Sequence, residues 1–352
     1  MNPTPYLSVV VATRDDRHGG DPHARLQAAL RIYKKQAETL RFPLEYIIVD
    51  WNSPKGSQGI FRRIKKWSLR SRYLKIRVIE VPPAIHRKLD EAGIPFYQMI
   101  AKNVGIRRAK GEFILASNID VFLDDSLMKF ISERNLKKRN MYRSDRFDLK
   151  HKFLCEIPKF LHNDKSLGYL ISRKNLRHAS FNHFLPVDET RIRKLNLNPG
   201  TRPLTWDQRL KEKIRLLKKR FKVYGTPGYE LHTNGCGDFT LLSREAWHRL
   251  CGYPEMRVFS FHLDSIFCQQ AHDNGFTEIV LPFPQVHYHI DHADGWTPET
   301  GEQLMRRLKS QGIPFIEKDY TVFIDACRKT NNPMFNHEDW GLSQEKLKQC
   351  SV

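Results

Sequence analysis

Residues 99–125, MIAKNVGIRRAKGEFILASNIDVFLDD, constrain the fold more than any other stretch, because they place a helix, a tight turn, a buried strand and an acidic terminus in that order. Met99, Val104 and Ile106 lie among polar positions with Ala101 and Ala109 between them, which predicts a helix seated closely on a sheet, and Gly111 predicts its C-terminal stop. Glu112 to Ala116 is short and nearly all apolar, as a strand covered on both faces should be. That strand delivers Asn118 and Asp120 to its carboxyl end, where open α/β sheets bind their ligands. The plain alternative is that both residues cap a helix starting near Asp124.

The same alternation runs upstream. Tyr6 to Ala12 reads as a first strand that opens into Thr13-Arg14-Asp15-Asp16, and Asp21-Pro22 reads as a helix start. Leu26, Leu30, Tyr33, Ala37 and Leu40 recur at helical spacing and give one apolar face. Leu44 to Val49 predicts a second strand ending at Asp50. A short stripe of Ile60, Ile64 and Trp67 then precedes a third strand over Ile76 to Val81. Strands alternating with helices mean right-handed βαβ units and a mostly parallel sheet. Carboxylates at the ends of neighbouring strands, Asp16 and Asp50, suit acceptance from the imide N–H of a base or from ribose hydroxyls, although Asp is also a common turn residue.

With 352 residues, 40% of them hydrophobic, the chain is long enough for one large α/β domain with elaborations. No apolar run reaches bilayer length and the N-terminus lacks a signal-peptide pattern, so a cytoplasmic location is expected. The six cysteines form no C-x-x-C pair, which predicts reduced thiols and no zinc site. Gly-x-Gly motifs of the dinucleotide or P-loop kind are absent, against NAD and ATP-hydrolysis chemistry. The net charge is +20, and the interval from Arg134 to Gly225 holds 25 Lys and Arg against 8 Asp and Glu, a local +17. Such a surface attracts polyanions or anionic lipid headgroups, or is simply a solvated helical face, as in Lys211 to Arg220.

The run A-x-N-x-G-x-x-x-A-x-G-x-F-I, from Ala101 to Ile114 and followed by Asn118-Ile119-Asp120, resembles the centre of GT-A-fold glycosyltransferases of the family 2 type. The resemblance implies a GT-A (nucleotide-diphospho-sugar transferase) fold, an α/β architecture with a mostly parallel central sheet flanked by helices. It carries a basic insertion and a C-terminal helical extension. It further implies that Thr13, Arg14, Asp16, Asp50, Asn103, Asn118 and Asp120 bind the nucleotide sugar, with UDP the expected carrier. In that family a D-x-D motif holds Mn2+ or Mg2+; Asn118 in its first position removes one charge and should weaken the cation.

Two later blocks extend the likeness. Residues 235–255, GCGDFTLLSREAWHRLCGYPE, are similar to the acceptor-side segment of the family, which places Asn234, Gly237, Asp238 and Trp296 against the acceptor. Asp264, at a helix start in FHLDSIF, is the nearest match to the general base of inverting members; Asp238 is the second candidate. The alternative for Asp264 is a plain helix-dipole carboxylate. Val286 to Trp296 packs three histidines and two aspartates into eleven residues, and His287 and His289 would share one side of a strand. The family often completes its cation site with a histidine from this late segment. Here His289 and His292, with Asp120, are the metal candidates.

The expected organisation is a nucleotide-sugar half (1–133), a basic acceptor-side insertion (134–230), an acceptor and catalytic half (231–298) and a C-terminal extension (299–352). That extension either closes over the site or serves as a surface anchor. The leading expectation is an inverting, hexosyltransferase-type enzyme. It would act on a glycan or lipid-linked acceptor in polysaccharide biosynthesis, peripherally at the inner membrane face, with no nucleic-acid partner. The alternatives are an inactive polyanion or membrane-surface binding protein of the same fold, and a sugar nucleotidyltransferase.

Overall fold

The structure is a computed structural model that describes residues 4–90, 93–155, 157, 161, 167, 175–178, 185–186, 231–233, 235–292, 301–316 and 335–352. Its first part alternates as the sequence predicts: β1 (Leu7–Thr13), α1 (Pro22–Thr39), β2 (Leu44–Trp51), α2 (Ile60–Lys65), β3 (Leu74–Val81), α3 (Pro83–Leu89), α4 (Gln98–Arg107) and β4 (Phe113–Ala116). Next come β5 (Val121–Leu123), α5 (Asp125–Ser132), β6 (Asn140–Arg143), β7 (Arg146–Leu149), β8 (Asn175–His178) and β9 (Leu185–Pro186). The rest comprises β10 (Thr240–Ser243), α6 (Arg244–Arg249), α7 (Leu263–Asp273), β11 (Thr277–Val280), β12 (His287–Ile290), α8 (Gly301–Ser310) and β13 (Lys348–Ser351).

The main sheet has the order β11-β6-β10-β4-β1-β2-β3-β13, parallel through β4-β1-β2-β3 and between β11 and β6, antiparallel at β10 and β13. A second sheet runs β5-β12-β7-β8-β9. Alternation along β1 divides the core: Val9 and Val11 face the layer of α1 and α2, while Val10 and Ala12 face that of α4, α6 and α7. Because β6 and β7 are integral to the two sheets, the core runs straight past residue 133, and the basic interval contributes Arg143 and Arg146 to it. Lys211 to Arg220 lie outside the described residues.

Helix α4 sits on β1 and β2 without a spacer. A Cβ on Gly105 would lie 2.5 Å from Val10 Cγ1 and 3.1 Å from Val49 Cγ2. Gly111 does not end the helix, which stops at Arg107; its lack of a side chain is needed because a Cβ there would meet the Ser8 backbone nitrogen at 2.6 Å. The helix start read at Asp21-Pro22 forms, with the Asp21 side chain accepting from Ala24 N; α5 is capped by Asp124 itself, which accepts from Ser126 N, not by Asn118 or Asp120, and Ser243 caps α6 by accepting from Ala246 N.

The C-terminal segment is a structural part of the sheet and its helix layer. β13 completes the β3 edge, Arg108 donates to the carbonyls of Gly341 (2.6 Å) and Leu342 (2.7 Å), and Trp340 is buried against Arg107. Since α4 runs antiparallel to its strands, the contacts of Trp340, Gly341 and Leu342 lie at the end opposite the strands' carboxyl termini, whereas β13 begins at the carboxyl end of β3, where Lys348 pairs with Glu80 at 2.9 Å. The described residues 335–352 form no helix.

Replacing Gly105 with Ala gains helix propensity but forces the helix off the sheet. We expect a net loss of about 1–3 kcal/mol in urea unfolding; a variant as stable as the parent would show that α4 is not seated this closely.

Candidate active site

The carboxyl ends of β1, β2 and β4 open into a crevice floored by α4 and walled by β12 and the 235–238 turn. Asp120 lies at its centre, in the turn between β4 and β5, where its backbone carbonyl accepts from Ile290 N at 3.0 Å. Its carboxylate is almost fully enclosed. Oδ2 accepts from His292 Nε2 at 2.9 Å and faces Arg25 Nε at 3.4 Å, whereas Oδ1 has no hydrogen-bond partner among the described residues and looks at His289 Nε2 across 3.9 Å. Burial opposes ionisation of Asp120, but His289, His292 and Arg25 outweigh it and hold the carboxyl far below the usual range.

These groups fit a divalent cation. One ligand atom each from Asp120, His289 and His292 lie within 4.8 Å of one another. The strand register sets His289 beside Asp148, and the 2.9 Å bond from His289 Nδ1 to Asp148 Oδ1 orients Nε2 toward Asp120, where it would become a ligand once its proton gave way to a cation. Two imidazoles with one carboxylate oxygen suit Mn2+ better than Mg2+, which prefers oxygen throughout. His287, two residues earlier, is different: it is fully buried, stacks on Phe239 at 5.5 Å, and burial pushes its pKa down to about 3.

Asn118 is turned away from Asp120. Its Oδ1 accepts from Gln98 Nε2 at 2.9 Å and its Nδ2 donates to Asp238 Oδ1 at 2.5 Å. Asp238 is also paired through Oδ2 with Arg146 Nη1 at 2.8 Å; burial works against its ionisation, yet Arg146 keeps its pKa low. Asp264, by contrast, is only half-buried at the start of α7. Its Oδ1 accepts from Ser265 N at 2.9 Å, and its Oδ2 stands over Gly237, where a Cβ would come within 2.9 Å. The Gly237 carbonyl accepts from the ammonium of Lys102 at 2.7 Å.

At the β1 and β2 ends, Thr13 and Asp50 are register partners. Arg14 pairs with Asp16 at 2.8 Å and donates to the Pro95 carbonyl at 3.0 Å, and Asp16 is bonded to His18. Asp50 accepts from Ser53 Oγ and from Ile60 N, so it caps α2 while lining a cavity of about 340 Å³ with Glu80, Val81, Pro82, Phe61 and Lys348. Burial raises its pKa to about 6, and Asp15 and Glu80 add to the rise. Asn103 lies apart from this group. It is buried beneath α4, with Oδ1 accepting from Tyr253 N and Nδ2 donating to Tyr253 O and Glu255, so its polar atoms are spent on the fold. Asn234 and Trp296 lie outside the described residues.

Sequence reading missed five contributors: Asp15, which binds Arg63 and His23 (2.6 Å each) and Gly59 N (2.7 Å), Arg25, Lys102, Arg146 and Asp148. A signal existed for four of them. Arg25 shares a helix face with Ala29 and Ile32, Lys102 falls between Met99 and Ile106 on a buried one, and Arg146 and Asp148 alternate with Phe147 and Leu149 along β7.

No protein-family model matches the chain, and no curated protein does. Among solved structures it is similar to residues 1–349 of S. aureus TarS, with 14% identity over 88% of this chain and 67% of that chain and a TM-score of 0.41. The same protein in complex with UDP aligns at 15% identity with the same coverage and TM-score.

The Asp50 geometry has a measurable consequence. A carboxyl whose folded pKa lies near 6, above its unfolded value of 3.8, adds most stability in acid and loses it as pH rises through that window. Asp50→Asn should therefore gain on the parent between pH 4 and pH 7, by up to about 3 kcal/mol, in paired urea titrations. A stability difference that stays flat with pH would place Asp50 in water.

Proposed function

We propose that this protein is a glycosyltransferase that moves a sugar from a nucleotide-diphosphate donor, UDP-linked by the family likeness of residues 99–125, to a hydroxyl of a glycan or lipid-linked acceptor. The observation that carries the reading is the cluster of Asp120, His289 and His292 at the strands' carboxyl ends, with an unbonded carboxylate oxygen facing an imidazole nitrogen. It stands beside a half-buried Asp264 in a sheet of the strand order that suits nucleotide binding. Asp120, His289 and His292 would hold a divalent cation, which when bound neutralises the departing diphosphate.

The residues divide the work. Thr13, Arg14, Asp16 and the cavity beside Asp50 receive the nucleoside. Asp264 takes the proton of the acceptor hydroxyl as its oxygen bonds to the anomeric carbon, and the bond from that carbon to the diphosphate breaks on the opposite face, giving inversion. Asp238 is the weaker candidate for that base because Arg146 and Asn118 occupy both of its oxygens. It is better suited to orienting the acceptor with Gly237. The basic interval from Arg134 to Gly225 serves the acceptor or an anionic membrane surface, since its charge of +17 exceeds what one diphosphate needs. Among the described residues no helix is long and apolar enough to cross a membrane, and attachment at the inner face would be peripheral.

Thermal-shift titration against UDP, GDP, CMP and dTDP, with and without Mn2+, tests the reading. UDP with Mn2+ should stabilise the protein by about 3 kcal/mol at a hundredfold excess over Kd. Asp120→Asn should remove the Mn2+ dependence, and Asp264→Asn should retain UDP binding while cutting turnover on the order of a hundredfold. No shift with any nucleotide would overturn the assignment.

A further inference from the structure

Among the described residues Lys102 is the buried lysine of the crevice floor, and its surroundings are unusual for an ammonium. It projects from the middle of α4, is 0% exposed, and its Nζ donates to the carbonyl of Gly237 at 2.7 Å. Burial lowers its pKa to about 8, against the pull of Asp238, Asp264 and Asp120, which all lie near it. Burying a lysine is costly, and a single carbonyl bond is a weak return unless that carbonyl must be held.

The carbonyl belongs to a turn with two neighbours in the proposed chemistry. The turn is closed by Asp238 N and Phe239 N, both donating to Gly235 O at 3.0 and 3.1 Å. Gly237 packs its Cα beneath Asp264 Oδ2 so closely that a Cβ would sit 2.9 Å away. The next residue, Asp238, carries the carboxylate bonded to Asn118 and Arg146, and its carbonyl accepts from Ser117 Oγ at 2.8 Å. The carboxylate ties of Asp238 are thus joined by two to the turn's backbone carbonyls, from Ser117 at the end of β4 and from Lys102 of α4. Only the second acts at the residue that touches Asp264.

We infer that Lys102 is a positioning residue: it pins the Gly235–Asp238 turn to α4 and thereby fixes the spacing between Asp238 and Asp264 on the acceptor side of the crevice. Its catalytic consequence rests on the glycosyltransferase reading; the pinning itself does not. Among the described residues the ammonium's hydrogen bond goes to Gly237, not to Thr13, Arg14 or Asp50, so losing it should disturb the acceptor side first.

Lys102→Met tests this with little risk to folding, because an apolar chain of similar length replaces a buried charge that burial disfavours. Hydrogen–deuterium exchange followed by mass spectrometry should show amides in peptides spanning 235–239 exchanging about tenfold faster than in the parent, as expected for loss of one charge-assisted bond. Peptides from β1 and β2 should be unchanged, and Lys102→Arg should restore much of the protection. UDP affinity by calorimetry should stay within twofold, while UDP release from UDP-glucose and UDP-N-acetylglucosamine, with water as acceptor, should fall about tenfold in kcat at constant KM. Unchanged exchange at 235–239 would overturn the pinning, and a parallel loss of UDP affinity would make Lys102 a donor contact instead. A parent protein that binds no UDP would sink the functional reading and leave the exchange result to decide the inference.

Discussion

The close seating of α4 on the sheet is the constraint on which the rest depends. Gly105 lets the helix backbone approach β1 and β2, and Gly111 lets the chain turn back against Ser8. At that distance three polar side chains of one helix reach three different places. Gln98, at the ligand end, bonds Asn118; Lys102, in the middle, bonds Gly237; Asn103, on the flank, bonds Tyr253 and Glu255. Withdrawing the helix by the width of a methyl group would loosen the crevice floor, the acceptor-side turn and the anchorage of the C-terminal segment together, since Glu255 in turn accepts from Gly341 N at 2.8 Å.

Charge is balanced locally in the crevice. Asp120 is matched by Arg25, His289 and His292, and the pair of Asp148 and Asp238 is matched by Arg146, whose pKa their carboxylates raise against the effect of burial. Arg25 is itself fixed by bonds to the carbonyls of Gly19 and His18, so the β1–α1 loop is tied to the same carboxylate as the late histidines. A Cβ on Gly19 would stand 2.8 Å from His292 Nδ1, so this loop, too, depends on a missing side chain. Segments far apart in sequence thereby meet at one buried anion, which costs stability unless each partner is in place.

The central sheet was legible in the sequence because a buried parallel strand leaves a local mark, an apolar run ended by a turn. The strands at residues 7–13, 44–51, 74–81 and 113–116 all carry it. That Asp120, His289 and His292 come together was legible for a related reason: carboxylates and imidazoles clustered at strand ends have few structural uses. The polar groups that support them were not, because Lys102 and Arg25 become meaningful only through partners 135 and 95 positions away, Gly237 and Asp120. Asn103 shows the reverse. Its place in the family-like motif marks it for the nucleotide, yet it is the next residue after Lys102, about 100° further round α4, on the flank that holds Tyr253 and Glu255.

Asn118 changes meaning in the same light. As a sequence feature it is a D-x-D motif lacking a charge, and restoring aspartate should improve cation binding. In the folded protein its amide is a bridge that accepts from Gln98 and donates to Asp238. An aspartate there would keep the first bond but set two carboxylates against each other at 2.5 Å, a contact that forces one of them to hold a proton. The donor N–H is what Asp238 needs, and only an amide supplies both functions at this position. A cation in this crevice would then rest on Asp120 with its histidines, and the charge missing from residue 118 is already carried by Asp238, to which the Asn118 amide donates.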